Sequence, residues 1–204
     1  MKKVRIIVEG KGDQKFVDDV LRQAGKKNLP ELNIKFAQLG GKDDSSFDKL
    51  KNEFYLKQPD AINLIVIDAD EDNLIIRRQH LLNKINSWGC EAKIFFFPNN
   101  SDLGNFETLQ VSIVWEKYKP YFECFVPFGE CVTKVHADIH QPSLKDKVYS
   151  YYSSLLTKDE EAQRGKIIGA EQMNYSDPRF LDINHPNLNP LKDFLNEHIA
   201  VPNI

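Results

Sequence analysis

Ile62-Asn63-Leu64-Ile65-Val66-Ile67-Asp68-Ala69-Asp70-Glu71-Asp72 passes from a nearly unbroken apolar run to a cluster of acids. A strand with one wet face alternates apolar with polar residues. This run is β-branched or Leu at almost every position, which suits a strand covered on both faces, as in a parallel sheet flanked by helices. Residues 4–8 and 94–97 have the same character, and residues 34–39 form a further candidate strand ending at Gly40 and Gly41. Between these runs lie stretches with helical spacing: residues 13–24 with Phe16, Val17, Val20 and Leu21, residues 45–56 with Phe47, Leu50 and Phe54, and residues 71–88 with Leu74, Ile75, Leu81, Leu82, Ile85 and Trp88. Strands separated by helices pair in parallel through right-handed crossovers. Residues 1–104 are therefore expected to be a three-layer α/β domain with a parallel four-stranded sheet. Residues 105–118, 143–156 and 189–199 read as helices, and residues 158–185 as loop with one short element. Residues 105–204 then form a mainly helical extension packed on the first half, in one globular unit.

Composition bounds what such a chain does. With 204 residues it buries about two-thirds of its unfolded surface without staples. Hydrophobic residues at 41% and charged residues at 28% are ordinary globular values and argue against disorder, collagen-like repeats and membrane spans. There are 27 Lys and Arg against 30 Asp and Glu, a net charge of -3. No broad positive field draws in polyanions, so any binding of DNA or RNA comes from a local site or a partner and is weak and salt-sensitive. Cys90, Cys124 and Cys131 are too few for a disulfide framework, and the first residues do not read as a secretory signal. No apolar stretch approaches the roughly 20 residues of a membrane helix. The expected setting is cytoplasmic, with no membrane partner.

In an open parallel sheet, ligands collect at the carboxyl ends of the strands. Glu9-Gly10-Lys11-Gly12-Asp13 follows the first strand and Asp68-Ala69-Asp70 the third. Asp68 and Asp70, two apart, would project from the same side of an extended segment, and Glu9 would lie near them if the two strands are neighbours. Three converging carboxylates repel one another without a cation. Mg²⁺, a hard ion held by a few carboxylates with water and substrate phosphates, suits them best, with Mn²⁺ as a substitute. Glu107 and Asp72 are further candidate ligands, although a Glu near a helix start is also favoured by the helix dipole. Asp13 reads as a helix N-cap, and Gly10 and Gly12 as turn glycines. Lys11, Lys145 and Lys147 are candidate phosphate contacts. Cys124, Cys131, His136 and His140 lack the paired spacing of a zinc module, and the apolar neighbours of Cys124 argue for a core cysteine. The aromatic set Trp115, Tyr118, Tyr121, Phe122, Phe125, Phe128, Tyr149, Tyr151 and Tyr152 reads as packing against the sheet, with base stacking as the alternative.

Ile7-Val8-Glu9-Gly10-Lys11-Gly12-Asp13-Gln14-Lys15-Phe16 resembles the first motif of TOPRIM domains, and Leu64-Ile65-Val66-Ile67-Asp68-Ala69-Asp70 resembles the second. The resemblance covers roughly residues 1–100. TOPRIM domains serve topoisomerases, bacterial-type primases, small ribonucleases, recombination proteins and nucleases of the overcoming-lysogenization-defect type. What the resemblance implies is Mg²⁺ binding by Asp68 and Asp70, with Glu9 as ligand or general base and Asp13 matching the later Asp of the first motif. Over the rest of the chain, Phe97-Pro98-Asn99-Asn100, Gly104-Asn105-Phe106-Glu107-Thr108-Leu109, Lys145-Asp146-Lys147-Val148-Tyr149 and residues 185–195 are similar to the small stand-alone TOPRIM-like family described as domain of unknown function 3226. A topoisomerase needs further domains bearing a nucleophilic Tyr, and a primase needs a zinc module, for which 204 residues leave no room.

The expectation is thus Mg²⁺-dependent phosphodiester cleavage or phosphoryl transfer on nucleic acid, with Glu9, Asp68 and Asp70 as the catalytic group. The alternative is a catalytically weak TOPRIM-like binding or regulatory module that acts with an ATPase or nucleic-acid complex. Hydrolysis of free nucleotides or other small phosphates is a further reading. The chain has no G-x-x-x-x-G-K-[ST] phosphate loop, so an ATPase would be separately encoded, as the resemblance to overcoming-lysogenization-defect nucleases implies.

Overall fold

The computed structural model describes residues 1–27, 29–41, 44–70, 73–135, 138 and 140–199. Strands β1 (Lys2–Val8), β2 (Leu32–Gln38), β3 (Ala61–Asp68) and β4 (Ala92–Phe97) form one sheet in the order β2-β1-β3-β4, parallel throughout. Helices α1 (Lys11–Gln23), α2 (Asp44–Lys49) and α3 (Leu74–Ser87) make the crossovers. From β1 the chain steps outward to β2, then crosses back to β3 on the other side of β1. The direction of winding therefore reverses between β1 and β3, and this is where an open α/β sheet parts its loops to admit a ligand.

The pleat divides the strand residues between two cores. Val4, Ile6 and Val8 of β1, Leu64 and Val66 of β3, and Phe95 and Phe97 of β4 face Phe16, Val17, Val20 and Leu21 of α1. Ile7, Ile65, Ile67, Ile94 and Phe96 point the opposite way and pack with Phe47 of α2 and Leu81 and Ile85 of α3. Each fully buried side chain of this kind contributes about 1.5–3 kcal/mol, and this two-sided burial is what the apolar run of β3 encodes. Asn63 at the start of β3 is buried but satisfied. Its Oδ1 accepts the Tyr55 N–H at 2.8 Å, and its Nδ2 donates to the carbonyls of Tyr55 and Glu91, each at 2.8 Å.

The extension completes the first core. It comprises α4 (Phe106–Ser112), α5 (Lys119–Glu123), α6 (Phe125–Val135), α7 (Leu144–Ser154), α8 (Lys158–Glu161), α9 (Arg164–Ile167) and α10 (Asn189–His198). Val148, Tyr151 and Tyr152 of α7 and Leu191, Phe194 and Leu195 of α10 are buried on the same side as α1. Residues 158–185 are not a plain loop: besides α8 and α9, they are pinned by side chains from earlier in the chain. Asp19, buried in α1, accepts the Tyr175 N–H at 3.0 Å, Tyr151 donates to the Phe180 carbonyl at 2.8 Å, and Trp115 donates to the Pro178 carbonyl at 2.8 Å.

Two expectations need correction. Cys124 is exposed, as is Cys131, because α5 and α6 leave these faces uncovered, while Cys90 is the buried thiol. His136 lies outside the described residues. The aromatic set is mostly packed, with Tyr151 ringed by Tyr118, Tyr121, Phe122 and Tyr152, but Phe128 and Tyr149 are exposed. Among the described residues no helix is long and apolar enough to cross a membrane.

Candidate functional site

Glu9 follows β1 directly and Asp68 ends β3, so the two stand side by side at the winding reversal. Glu9 Oε1 accepts the Asp68 N–H at 3.0 Å, which holds the Glu9 carboxylate against the neighbouring strand end. Asp68 is buried, and its Oδ1 accepts the N–H of Phe106, the first residue of α4, at 2.8 Å. Amides at a helix start favour an anion there. A third carboxyl group comes from α1. Asp13 sits in the first turn, where its Oδ2 accepts the Gly10 N–H at 2.9 Å. Gly10 is the N-cap, not Asp13, and the helix starts at Lys11. Neither Gly10 nor Gly12 has the positive φ of a turn glycine. Gly10 is extended at φ -148°, and Gly12 lies within the helix, next to the Tyr175 hydroxyl.

Burial raises the Asp13 pKa to about 7, helped by the negative charges of Asp68 and, more weakly, Glu107. Tyr175 lies in the same field: burial first, then Asp13, Glu107 and Asp19, push its hydroxyl well above the usual phenol range. Gln110 of α4 is buried beside them and donates to the Tyr152 hydroxyl at 2.9 Å. Asp19, Gln110 and Tyr175 escaped the sequence reading. Polar residues amid buried helical faces were the available signal for the first two, whereas Tyr175 stands in a stretch without periodicity.

Asp70 turns elsewhere. It adopts a left-handed backbone, φ 53°, so the chain is no longer extended there, and Asp68 lines the cleft described below whereas Asp70 does not. Its backbone makes a two-bond bridge with Gly104, N–H to O at 2.7 Å and O to N–H at 3.1 Å. Its Oδ2 lies 3.4 Å from Arg77 Nη1. The same Arg77 nitrogen donates to the carbonyls of Asp68 at 2.9 Å and Ala69 at 3.1 Å, so one guanidinium from α3 fixes the whole β3 turn.

A cleft of about 810 Å³ opens over these carboxylates. It is lined by Glu9, Gly10, Gly12, Asp13 and Asp68 from the sheet end and α1, by Asn105, Phe106, Glu107 and Gln110, and by Lys145, Tyr149 and Tyr152 of α7, which packs against α4, with Ile168, Met173 and Tyr175. Glu107, Lys11 and Lys145 thus reach the cleft, whereas Asp70 and Lys147 are not among its lining residues. Lys11 pairs with Glu171. Glu71 and Asp72 lie outside the described residues.

Hard carboxylate oxygens crowded into a partly buried site are the donor chemistry of Mg²⁺. Among the described residues, however, no three His, Cys, Asp or Glu side chains stand together as a ready cage. The arrangement fits an ion held by one or two carboxylates and otherwise hydrated, which is a common way for proteins to bind Mg²⁺.

Fold and site together define a three-layer α/β protein with an acidic cleft at the winding reversal of its sheet, the architecture that the TOPRIM resemblance implied. The chain belongs to the family described as protein of unknown function (DUF3226), whose model matches residues 3–200. Among solved structures, a hypothetical protein from Pyrococcus horikoshii OT3 is similar at 17% identity and a TM-score of 0.45, over 97% of this chain and 95% of that one. The C-terminal region of the Burkholderia pseudomallei OLD protein is similar at 11% identity and a TM-score of 0.35, over 97% and 98%. At these values neither likeness bears on chemistry. No curated protein matches the chain.

Proposed function

We propose that the cleft carries out Mg²⁺-dependent phosphodiester cleavage or phosphoryl transfer on nucleic acid. The observation that supports this best is the bond that sets Glu9 beside Asp68 at the winding reversal, in a cleft that Asp13 also lines. Asp68 and Glu9 would hold the ion, with Glu107 in reach of the same cavity. Mg²⁺, when bound, supplies Lewis-acid polarisation of a phosphoryl oxygen and neutralises developing charge. Glu9 orients its carboxylate through the Asp68 amide and serves as ligand or general base. Asp13 lines the same cleft with its Oδ2 on the Gly10 N–H; burial and Asp68 push its carboxyl up to about 7 in the metal-free fold, and a bound cation would lower it. Lys145 lines the same cleft and offers a phosphate contact. Asp70 pairs with Arg77 and does not line the cleft, so it ranks below Asp68.

A nuclease assay with Mg²⁺ or Mn²⁺ tests this on the wild type and on Glu9→Gln, Asp68→Asn and Asp70→Asn. General acid–base and electrostatic groups of this kind are worth about 10²–10⁴ in rate. Losses of that order are expected for the first two and less than about tenfold for the third. Equal activity in all four proteins would sink the proposal.

The pairing of Asp70 with Arg77 favours a second reading: a weakly catalytic module that acts with an ATPase or nucleic-acid complex. Calorimetry separates the two. No Mg²⁺ or Mn²⁺ uptake below millimolar concentrations would support the module.

A further inference from the structure

We infer that α6 is the seam of a reversible homodimer, in which it packs antiparallel against α6 of a second copy of this chain; the inference does not depend on the chemistry of the cleft. Six of the 11 residues of this helix are Phe, Val or Cys, yet among the described residues Gly129 is the one it buries. Its inner side rests on Gln141, whose side chain lies against Gly129, and on Tyr121, whose ring meets Phe125. The outer side is bare. Cys124, Phe128, Cys131 and Val135 follow one another at intervals of four, three and four residues, the a/d spacing of a coiled-coil seam, and Cys124 keeps a right-handed helical backbone where α5 runs into α6. All four are exposed, Phe128 by 51% and Val135 by 76%. A helix of a soluble fold turns its apolar stripe inward, so a stripe turned outward marks a contact with another molecule.

The stripe and its flanking charges fit a second copy in one orientation. Set antiparallel about a two-fold axis midway between Phe128 and Cys131, the seam pairs Phe128 with the partner's Cys131 and Cys124 with the partner's Val135. A large ring then meets a small thiol on both sides of the axis. Parallel packing would set Phe128 on the partner's Phe128 and leave the thiols facing each other. Charge decides the same way. Glu123 and Lys134, three turns apart on one flank of the stripe, have no salt bridge among the described residues. In the antiparallel pair each Lys134 comes within about 3 Å, measured along the axis, of the level of the partner's Glu123. A parallel pair brings opposite flanks together and would set Lys134 beside the partner's Val132. Self-complementary contacts of this kind close most homodimers. Three helical turns cover less than the roughly 1,200–2,000 Å² of a standard interface, so association is expected at micromolar concentrations and not below.

Sedimentation equilibrium of the full chain over roughly 1–300 μM reads that association. Phe128→Asp should weaken it at least about tenfold. Lys134→Glu alone should weaken it severalfold, and Lys134→Glu combined with Glu123→Lys should restore it. Far-ultraviolet circular dichroism checks that each variant keeps its fold. A short bifunctional thiol reagent then reads the register. In the antiparallel pair the two Cys131 residues are offset by about 4.5 Å along the axis and the two Cys124 residues by about 16 Å. Cross-linked dimer is expected from Cys124→Ser, which keeps Cys131, and not from Cys131→Ser; Cys90 is buried and silent. A monomer throughout the range, or a dimer indifferent to Phe128→Asp, would overturn the inference and leave the stripe to a different partner. Cross-linking through Cys124 as strong as through Cys131 is the mark of parallel packing and would overturn it as well.

Discussion

Asp13 is a carboxyl group held where ionisation is costly. Its pKa rises from 3.8 in the unfolded chain to about 7 in the fold, first through burial and then through Asp68. Between those values the folded state binds more protons than the unfolded state, so stability falls as pH rises from about 4 to about 7. The full shift corresponds to at most about 4 kcal/mol. Asp13→Asn keeps an oxygen for the Gly10 amide and has no charge to expel. Urea unfolding in chelator at pH 5 and pH 8 should show the wild type losing stability over that interval by a few kcal/mol more than the variant. Parallel behaviour of the two proteins would mean that Asp13 ionises freely. Glu9 and Asp68 were legible in the sequence because an acid directly after an apolar strand has its position set by the strand. Asp70 was not: two-residue alternation assumes extended backbone, and its left-handed turn is held by Gly104, 34 residues on, and by Arg77, one helix start away.

That dependence gives α3 a second task beyond covering the sheet. Arg77 reaches back from its first turns to the Asp68 and Ala69 carbonyls, with its side chain 12% exposed. Arg77→Met would leave those carbonyls unpaired in a partly buried turn and remove the Asp70 partner, a loss of about 1–3 kcal/mol readable by thermal or urea unfolding. Lys restores charge but not the fork geometry, so Arg77→Lys should recover only part of that. On the other side of the cleft, Asp19→Ala frees the Tyr175 amide. Hydrogen exchange should then accelerate around residues 173–176 and not in the strands, whereas unchanged protection there would show that Tyr175 is held by its ring contacts with Phe16 and Phe106 alone. Strands and their flanking helices were readable from periodicity. The helices α5 and α6 were not, because Pro120, Pro127 and Gly129 punctuate them like a loop, yet proline early in a helix costs no hydrogen bond.

The two halves of the chain share one core, and this sets what can fold alone. The sheet face carrying Val4, Ile6, Val8, Leu64, Val66, Phe95 and Phe97 is covered partly by α1 and otherwise by residues beyond 104, among them Ile113, Tyr151, Leu188, Leu191, Phe194 and Leu195. A fragment ending at residue 104 would retain the motif acids and every strand but expose an aromatic and aliphatic face on which Phe95 now meets Phe194 and Phe97 meets Phe106. Exposed contiguous apolar surface of that kind drives association. The fragment should therefore show strand and helix signal in far-ultraviolet circular dichroism without a cooperative thermal transition, and should aggregate. It would also lack Lys145, Tyr149 and Tyr175, so the cleft would lose that part of its lining together with the core. A monomeric fragment with a sharp, reversible transition would show instead that the sheet and α1 suffice, and that the extension was added to a domain already able to stand.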